Sequence, residues 1–504
     1  MSVGISMRKI LLTVFSVLSV AALVGCGGSS NSTPTTTAPS GGNNAGFSTS
    51  SLKGNYVFSD TGVNSSGANF HVVGFFAADG AGNISSGGED YFDDSGSQSQ
   101  NQTLTGTYVV NADGRGQLNV TGSATGAAVY RFIMQSPSAA SLFQFSTSAA
   151  ATGRIMLQSA VNGSALGGTA TYVVRLDGED TGRLPYGAVG ALSINSTSIS
   201  GTIDQNDNFV VSQLLPGIGS DVAPNTNGRG TLTLSIGGVT HNFVYYWVSA
   251  NHVELVSSDA SFWLHGYADL QSNTLASSNG ALSGGKVIAL SGFDATATLP
   301  IIENAQFTLD GISAVKNGIE DYNDNGNYTG NFGFVGTYAV STTGNGRWTA
   351  PVGALASNLI GWQISTTESV VLTWNSGNTI LETGTMHAQA TTIPSLSIAS
   401  IAGEYAQSMS GISLDDSGYV ELTANFLADG AGNLTGTLDS QTPPGVLNTG
   451  VAATGQYSTS SNGRSSGTIA GVPVVLYFVD ANTIYMISTN SSQIYQGKMV
   501  LQQP

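Results

Sequence analysis

The sequence predicts an all-β protein of four tandem antiparallel repeats, each an eight-stranded up-and-down barrel. Three observations carry that expectation. Apolar residues alternate with polar or small ones in short runs, as in Tyr56 and Phe58, Tyr108 and Val110, and Tyr130, Phe132 and Met134. Period two marks a half-buried strand. Asp-Gly and Asn-Gly pairs between such runs supply the positive φ angles of tight hairpin turns. The same landmarks then recur along the chain at a period of about 115 residues, well above the roughly 20 to 50 of solenoids, so the units are whole domains in series.

Each copy opens on an aliphatic residue, a spacer and glycine: Leu52-Lys53-Gly54, Leu166-Gly167-Gly168, Leu282-Ser283-Gly284 and Ile401-Ala402-Gly403. The turn Ala78-Asp79-Gly80-Ala81-Gly82-Asn83 returns letter for letter at 428–433 and weakly at Asp310-Gly311. Gly106-Thr107-Tyr108 returns as Gly336-Thr337-Tyr338 and Gly455-Gln456-Tyr457. A glycine-arginine turn stands in every copy, at Gly114-Arg115, Gly228-Arg229, Gly346-Arg347 and Gly463-Arg464. Gln158, Gln271, Gln389 and Gln502 mark the closing ends. The copies therefore span 51–159, 165–271, 281–389 and 400–503, with polar joints between them, the last containing Pro394.

In the first copy the alternation places eight strands near 54–59, 69–78, 83–91, 102–110, 115–121, 127–134, 140–146 and 152–158. Short links join them as a meander. Pairing the last strand with the first removes both free edges, which favours a closed barrel. A two-sheet β-sandwich is the alternative.

Composition narrows the function. Only 9% of the 504 residues are charged, with 14 basic against 31 acidic, so phosphate-backbone binding lacks its basic stripe and nucleic acid is not expected as a partner. The single cysteine, Cys26, leaves the body without an intrachain disulfide, so each unit must be held by its own apolar core. Arg8 and Lys9, the apolar run Ile10–Leu23 and then Leu23-Val24-Gly25-Cys26 resemble the signal peptide and lipobox of bacterial lipoproteins. The resemblance implies a signal peptide over 1–25, acylation of Cys26 (a palmitate-type membrane anchor) and a flexible tether over 26–50. Gly27, where Asp would favour inner-membrane retention, points to the outer membrane or cell surface.

Candidate chemistry is sparse. His71, His241, His252, His265 and His387 form no metal-binding pair in sequence and recur at no equivalent place. There is no nucleophile elbow and no phosphate-binding loop. One acidic pair does recur: Asp90 with Asp93, Asp204 with Asp207, and Asp321 with Asp324, preceded by Glu89 and Glu320 in the first and third copies, while the fourth keeps Asp439. Clustered carboxylates at a hairpin tip suit Ca²⁺. Yet Phe332 stands where a calcium loop needs its closing acid, and turn chemistry explains the pairs as well. Trp263, Trp348, Trp362 and Trp374 fit core positions of strands.

Together these landmarks resemble the tandem β-repeats of secreted lipoproteins of acidobacterial type, strongly in copies one and four. That implies an exported, modular protein and carries over no catalytic residue. The strand count is similar to that of lipocalin-like folds. The expected role is non-catalytic: a cell-envelope lipoprotein, without a cofactor, displaying multivalent β-domains to a glycan, a small molecule or a surface protein. A structural spacer and a polysaccharide-acting enzyme are the alternatives. Filled barrels would favour the spacer, and an apolar pocket repeated in two copies would favour the binder.

Overall fold

In the first repeat the strands are β1 (Lys53–Val63), β2 (Asn69–Asp79), β3 (Asn83–Asp93), β4 (Gln98–Val110), β5 (Arg115–Ser123), β6 (Gly126–Ser136), β7 (Ala139–Gln144) and β8 (Ala150–Leu157). Each pairs antiparallel with its successor, and β8 returns to β1 with Phe58 opposite Ile155, closing the barrel. The computed structural model describes residues 45–504 apart from 125, 148, 162–168, 181, 260, 296–299, 353–356, 376, 378, 392–395, 417 and 444. The signal peptide, Cys26, most of the tether, the opening Leu166-Gly167-Gly168 and Pro394 lie outside the described residues.

The second repeat, from Thr169–Glu179 to Trp263–Leu270, and the fourth, from Ala402–Ser413 to Gln493–Leu501, are closed eight-stranded barrels of the same order. In the third the sheet is nine-stranded, and its two outermost strands are Asn327–Thr337 and Ala339–Val340. These are one stretch of chain interrupted at Tyr338, so the third circuit also returns on itself, helped by a bridge from Gly336 to Val352. The eight-stranded barrel thus holds, and the sandwich does not.

Alternation fills the interiors. Tyr56, Phe58, Phe76, Tyr108, Leu118, Phe132 and Ile155 meet inside the first barrel, and equivalent clusters fill the others. The second barrel retains a void of about 20 Å³, roughly enough for a single water. Three repeated motifs prove to be parts of one pin. The Tyr108 hydroxyl donates to Leu52 O at 2.7 Å and accepts from Gly80 N at 2.7 Å, tying the opening residue to the Asp-Gly turn. Tyr457 binds Ile401 O and Gly430 N in the same way, and Tyr338 binds Gly311 N and Asn279 O, three residues ahead of the opening Leu282.

A second glycine pattern shapes the seam between first and last strands. A Cβ on Gly153, Gly266, Gly384 or Gly497 would fall 1.8 to 2.5 Å from a carbonyl oxygen of the first strand. On that first strand, Gly62, Gly178, Gly292 and Gly411 face the same obstacle at 1.9 to 2.0 Å. Only glycine permits so close a crossing, and it recurs in all four barrels.

The sequence suggested copies separated by polar joints, each standing on its own core. The barrels instead dock directly, and the order runs first to second, second to third, third to fourth and fourth back to first, a closed ring. Each docking repeats one lock. Gln158 Nε2 donates to Asn227 O and Trp247 O at 3.1 and 2.7 Å, and Gln271 to Asn345 O and Gln363 O at 3.2 and 2.8 Å. Gln389 reaches Phe478 O at 3.0 Å, and Gln502 returns to the first barrel at Asp113 O and Met134 O at 3.1 and 2.7 Å. Apolar clusters cross the joints too. Val57, Val73 and Phe75 meet Val244 and Tyr246; Val173 and Val189 meet Ile360 and Trp362; Val287 and Ile302 meet Val475 and Ile487. Phe47, at the end of the expected tether, is already packed into the first barrel's core.

Candidate functional site

The recurrent aspartate belongs to the same joints. On the third strand of each barrel the register slips at an equivalent residue: Asp90, Asp204, Asp321 and Asp439. Such a bulge re-aims a side chain, and here the carboxylate faces the next barrel. It first accepts a backbone N–H from a left-handed residue on the fourth strand: Asn101, Leu214 and Asn331 at 3.0 Å each, and Gly450 at 2.7 Å. The arginine of the next glycine-arginine turn then closes on it. Arg229 binds Asp90 through two nitrogens at 2.8 Å, Arg347 binds Asp204 at 2.8 and 2.9 Å, and Arg464 binds Asp321 at 2.6 and 2.7 Å. An aromatic donor joins each socket: the Tyr246 hydroxyl on Asp90 at 2.7 Å, Trp362 Nε1 on Asp204 at 2.7 Å, and the Tyr477 hydroxyl on Asp321, which also takes the Tyr328 hydroxyl at 2.6 Å. Burial alone would raise the Asp321 carboxyl, but the hydrogen bonds from Arg464, Tyr328 and Tyr477 hold it below its ordinary range.

The closing joint is built differently. Ile133 occupies the register position held elsewhere by Tyr246, Trp362 and Tyr477. Arg115 is divided between Asp113 at 2.8 Å and Asp439 at 3.1 Å.

The other acids of the recurrent run go elsewhere. Asp93 accepts Ser95 N at 3.0 Å and Ser97 N at 2.9 Å within its own turn. Asp207 and Asp324 are pushed up by burial and by Asp180 and Asp294 respectively. Glu89 accepts Ala124 N at 2.7 Å, while Glu320 lies against Glu303 and Glu382 in the third barrel. Among the described residues no three His, Cys, Asp or Glu side chains are grouped to hold a metal ion. Trp348 is core, as its pattern suggested, whereas Trp362 serves a joint.

The glycine-kinked seams of all four barrels face a chain of cavities. Immediately after the last-strand glycine come Arg154, Tyr267, Thr385 and Lys498. All four line one cavity of about 830 Å³, together with Asp269 and His387. Immediately before the glycine come Thr152, His265, Thr383 and Gln496, which line a second cavity of about 410 Å³. A third, of about 530 Å³, shares Arg154, Arg175, Tyr267 and Lys498 with the first, and Thr152, Asp177 and His265 with the second. Residues from every barrel therefore meet on one axis.

Ion pairs organise the walls. Arg154 binds Glu254 at 2.6 Å and lies 4.9 Å over the Tyr267 ring. His252 is held between Asp269, at 2.6 Å from Nδ1, and Glu254, at 2.7 Å from Nε2. Burial works against the imidazolium, but these two carboxylates keep His252 above its ordinary value. Burial likewise opposes the Glu254 charge, yet Arg154 and His252 bring it down to about 2. With both ring nitrogens engaged, His252 has none left to act as a general base. Arg175 binds Asp177 at 2.8 Å. Deeper in, His71 of the first barrel stacks on His265 of the second, ring centroids 4.3 Å apart. Burial lowers both, His265 to about 4. The sequence had left these histidines as isolated residues; their convergence comes from different barrels.

No protein-family model matches the chain, and no curated protein matches it. Among solved structures it is similar to transferrin-binding protein B of Haemophilus parasuis Hp5, at 10% identity over 72% of this chain and 82% of that one, TM-score 0.18. The same protein from serogroup B Neisseria meningitidis matches at 9% identity over 70% and 78%, TM-score 0.20. Kievitone hydratase from Nectria haematococca matches at 8% identity over 44% and 90%, TM-score 0.18. At these scores the likenesses carry no functional inference.

Proposed function

We propose that this chain is a non-catalytic binding protein of the cell envelope, held by a lipid on Cys26, whose four barrels frame one ligand chamber. The carrying observation is a contrast between copies. Positions that build the ring repeat: a glutamine, a glycine-arginine turn and a bulged aspartate in each. Positions that face the axis do not, since Arg154, Tyr267, Thr385 and Lys498 place a guanidinium, a phenol, a hydroxyl and an ammonium at one equivalent site. A spacer needs the first set alone. The filled interiors argue against multivalent display and, taken barrel by barrel, fit the spacer; what favours a binder is the chamber between the barrels. The chamber lies within the roughly 300–1,000 Å³ of small-molecule sites.

The test uses the full chain, purified in detergent, screened by thermal shift against glycan and small-molecule libraries beside Thr385→Trp, which places an indole in the chamber and obstructs it. Ligands that stabilise the parent and fail on the variant support the reading. An empty screen, or ligands indifferent to Thr385→Trp, returns the ring to the spacer. Palmitate labelling that survives Cys26→Ser would remove the anchor.

A further inference from the structure

Most charges around the chamber already have partners. Arg154 and His252 are satisfied by Glu254 and Asp269, and Arg175 by Asp177. Two charged groups on the wall are different. Lys498 comes from the last strand of the fourth barrel and Glu368 from the third barrel, and both line the about 830 Å³ cavity. Among the described residues neither makes an ion pair. Each is half-buried. Burial presses both toward the neutral form, lowering Lys498 and raising Glu368, and their mutual attraction offsets only part of that.

The aromatic walls are already covered. Arg154 sits over Tyr267, while Lys498 and His387 both lie against Tyr485, at 5.6 Å each. A sugar ring seeking an open aromatic face finds those faces occupied. What the chamber offers is one cation and one anion on neighbouring barrels that attract each other across the cavity without closing into an ion pair. A charge taken out of water is best compensated at contact distance, and a ligand carrying both signs gives each group such a partner.

We propose that the chamber binds a small zwitterion, an α-amino acid or short peptide, with its carboxylate at Lys498 and its ammonium at Glu368. This inference rests on the chamber being the binding site. The experiment measures calorimetric binding to the full chain of individual L-amino acids and glycylglycine, beside acetate, methylamine and glucose. At least one zwitterion should bind while acetate and methylamine do not. Lys498→Met and Glu368→Gln should each weaken binding about tenfold or more; Lys498→Gln replaces the first variant if it folds poorly. Binding of glucose or acetate alone, abolished by Thr385→Trp, would overturn the zwitterion and leave the chamber standing. Binding of none of the probes, joined to an empty library screen, would overturn both. Zwitterion binding unaffected by either charge variant would also defeat the assignment.

Discussion

Arg229 clasps Asp90 across the joint between the first and second barrels with two hydrogen bonds of 2.8 Å, and the aspartate side chain is fully buried there. Removing one partner of such a pair strands the other charge, at about 3–5 kcal/mol where burial is complete. Arg229 keeps 18% of its side chain exposed, and Asn101 N and the Tyr246 hydroxyl would remain on Asp90. Arg229→Met should therefore cost about 2–3 kcal/mol, at or just below the bottom of that range. Calorimetry should show an earlier first transition, and Arg229→Lys should recover only part of the loss because it cannot form the fork.

Gly114 sits at φ 85 in the turn that receives Gln502. A Cβ there would meet Gln502 Nε2 at 2.5 Å and the Phe47 ring at 2.9 Å. Gly114→Ala should loosen the fourth-to-first joint at a cost of about 1–3 kcal/mol. Small-angle scattering should register a larger radius, and hydrogen exchange should rise first along β6 and β7.

Acid should weaken the first-to-second joint. In the folded chain burial and Arg175 lower His265 to about 4, and burial and the neighbouring His265 lower His71. Between about 4 and the ordinary 6.5 the unfolded chain binds more protons, so stability falls as pH drops through that window. His265→Phe should flatten that part of the melting-temperature profile. His252, raised by its carboxylates, has the opposite sign: its contribution is complete below 6.5 and is lost as pH climbs through its higher folded value.

Alkali should act on the third barrel. Burial and the neighbouring Glu303 and Glu382 raise Glu320 to about 10, and burial raises Glu303 to about 8. These carboxyls are protonated inside the barrel and ionised in the unfolded chain above 4.5, so stability declines as pH rises from there. Glu320→Gln should stabilise the chain at pH 8 by on the order of 1–3 kcal/mol, read from its urea midpoint.

Calcium offers a direct check on the acidic pairs. Arg229, Arg347, Arg464 and Arg115 occupy Asp90, Asp204, Asp321 and Asp439. A cation must displace a guanidinium to bind them. Millimolar calcium should leave the melting temperature unchanged; a rise that Asp90→Asn or Asp93→Asn abolishes would establish the metal site instead.

Strand order and closure were legible because alternation and turn residues act locally: the eight strands expected in the first copy fall on β1 to β8. The lock residues were legible as landmarks, but their use was not. Asp90 and Arg229 stand 139 positions apart, and Asp321 and Arg464 stand 143 apart, in copies that period-two patterning treats as independent. A signal was present in the scarcity of charge. Four of the 14 basic residues occupy the same place in each copy, more than solubility requires. Trp362 followed the general habit of strand tryptophans up to the point where its indole N–H met Asp204. The chamber escaped notice because its walls come from four seams, and no window of sequence contains two of them.

Gln503 N donates to Gln135 O at 2.8 Å, and a Cβ placed on Gly46 would lie 3.6 Å from the Pro504 ring. The end of the fourth barrel thus arrives where the first begins. Circular permutants that splice these ends and cut a different joint should assemble the same ring, with its starting point moved by one barrel. The place of attachment to a surface is then separable from the fold, so a re-cut chain could present any of its four sides outward.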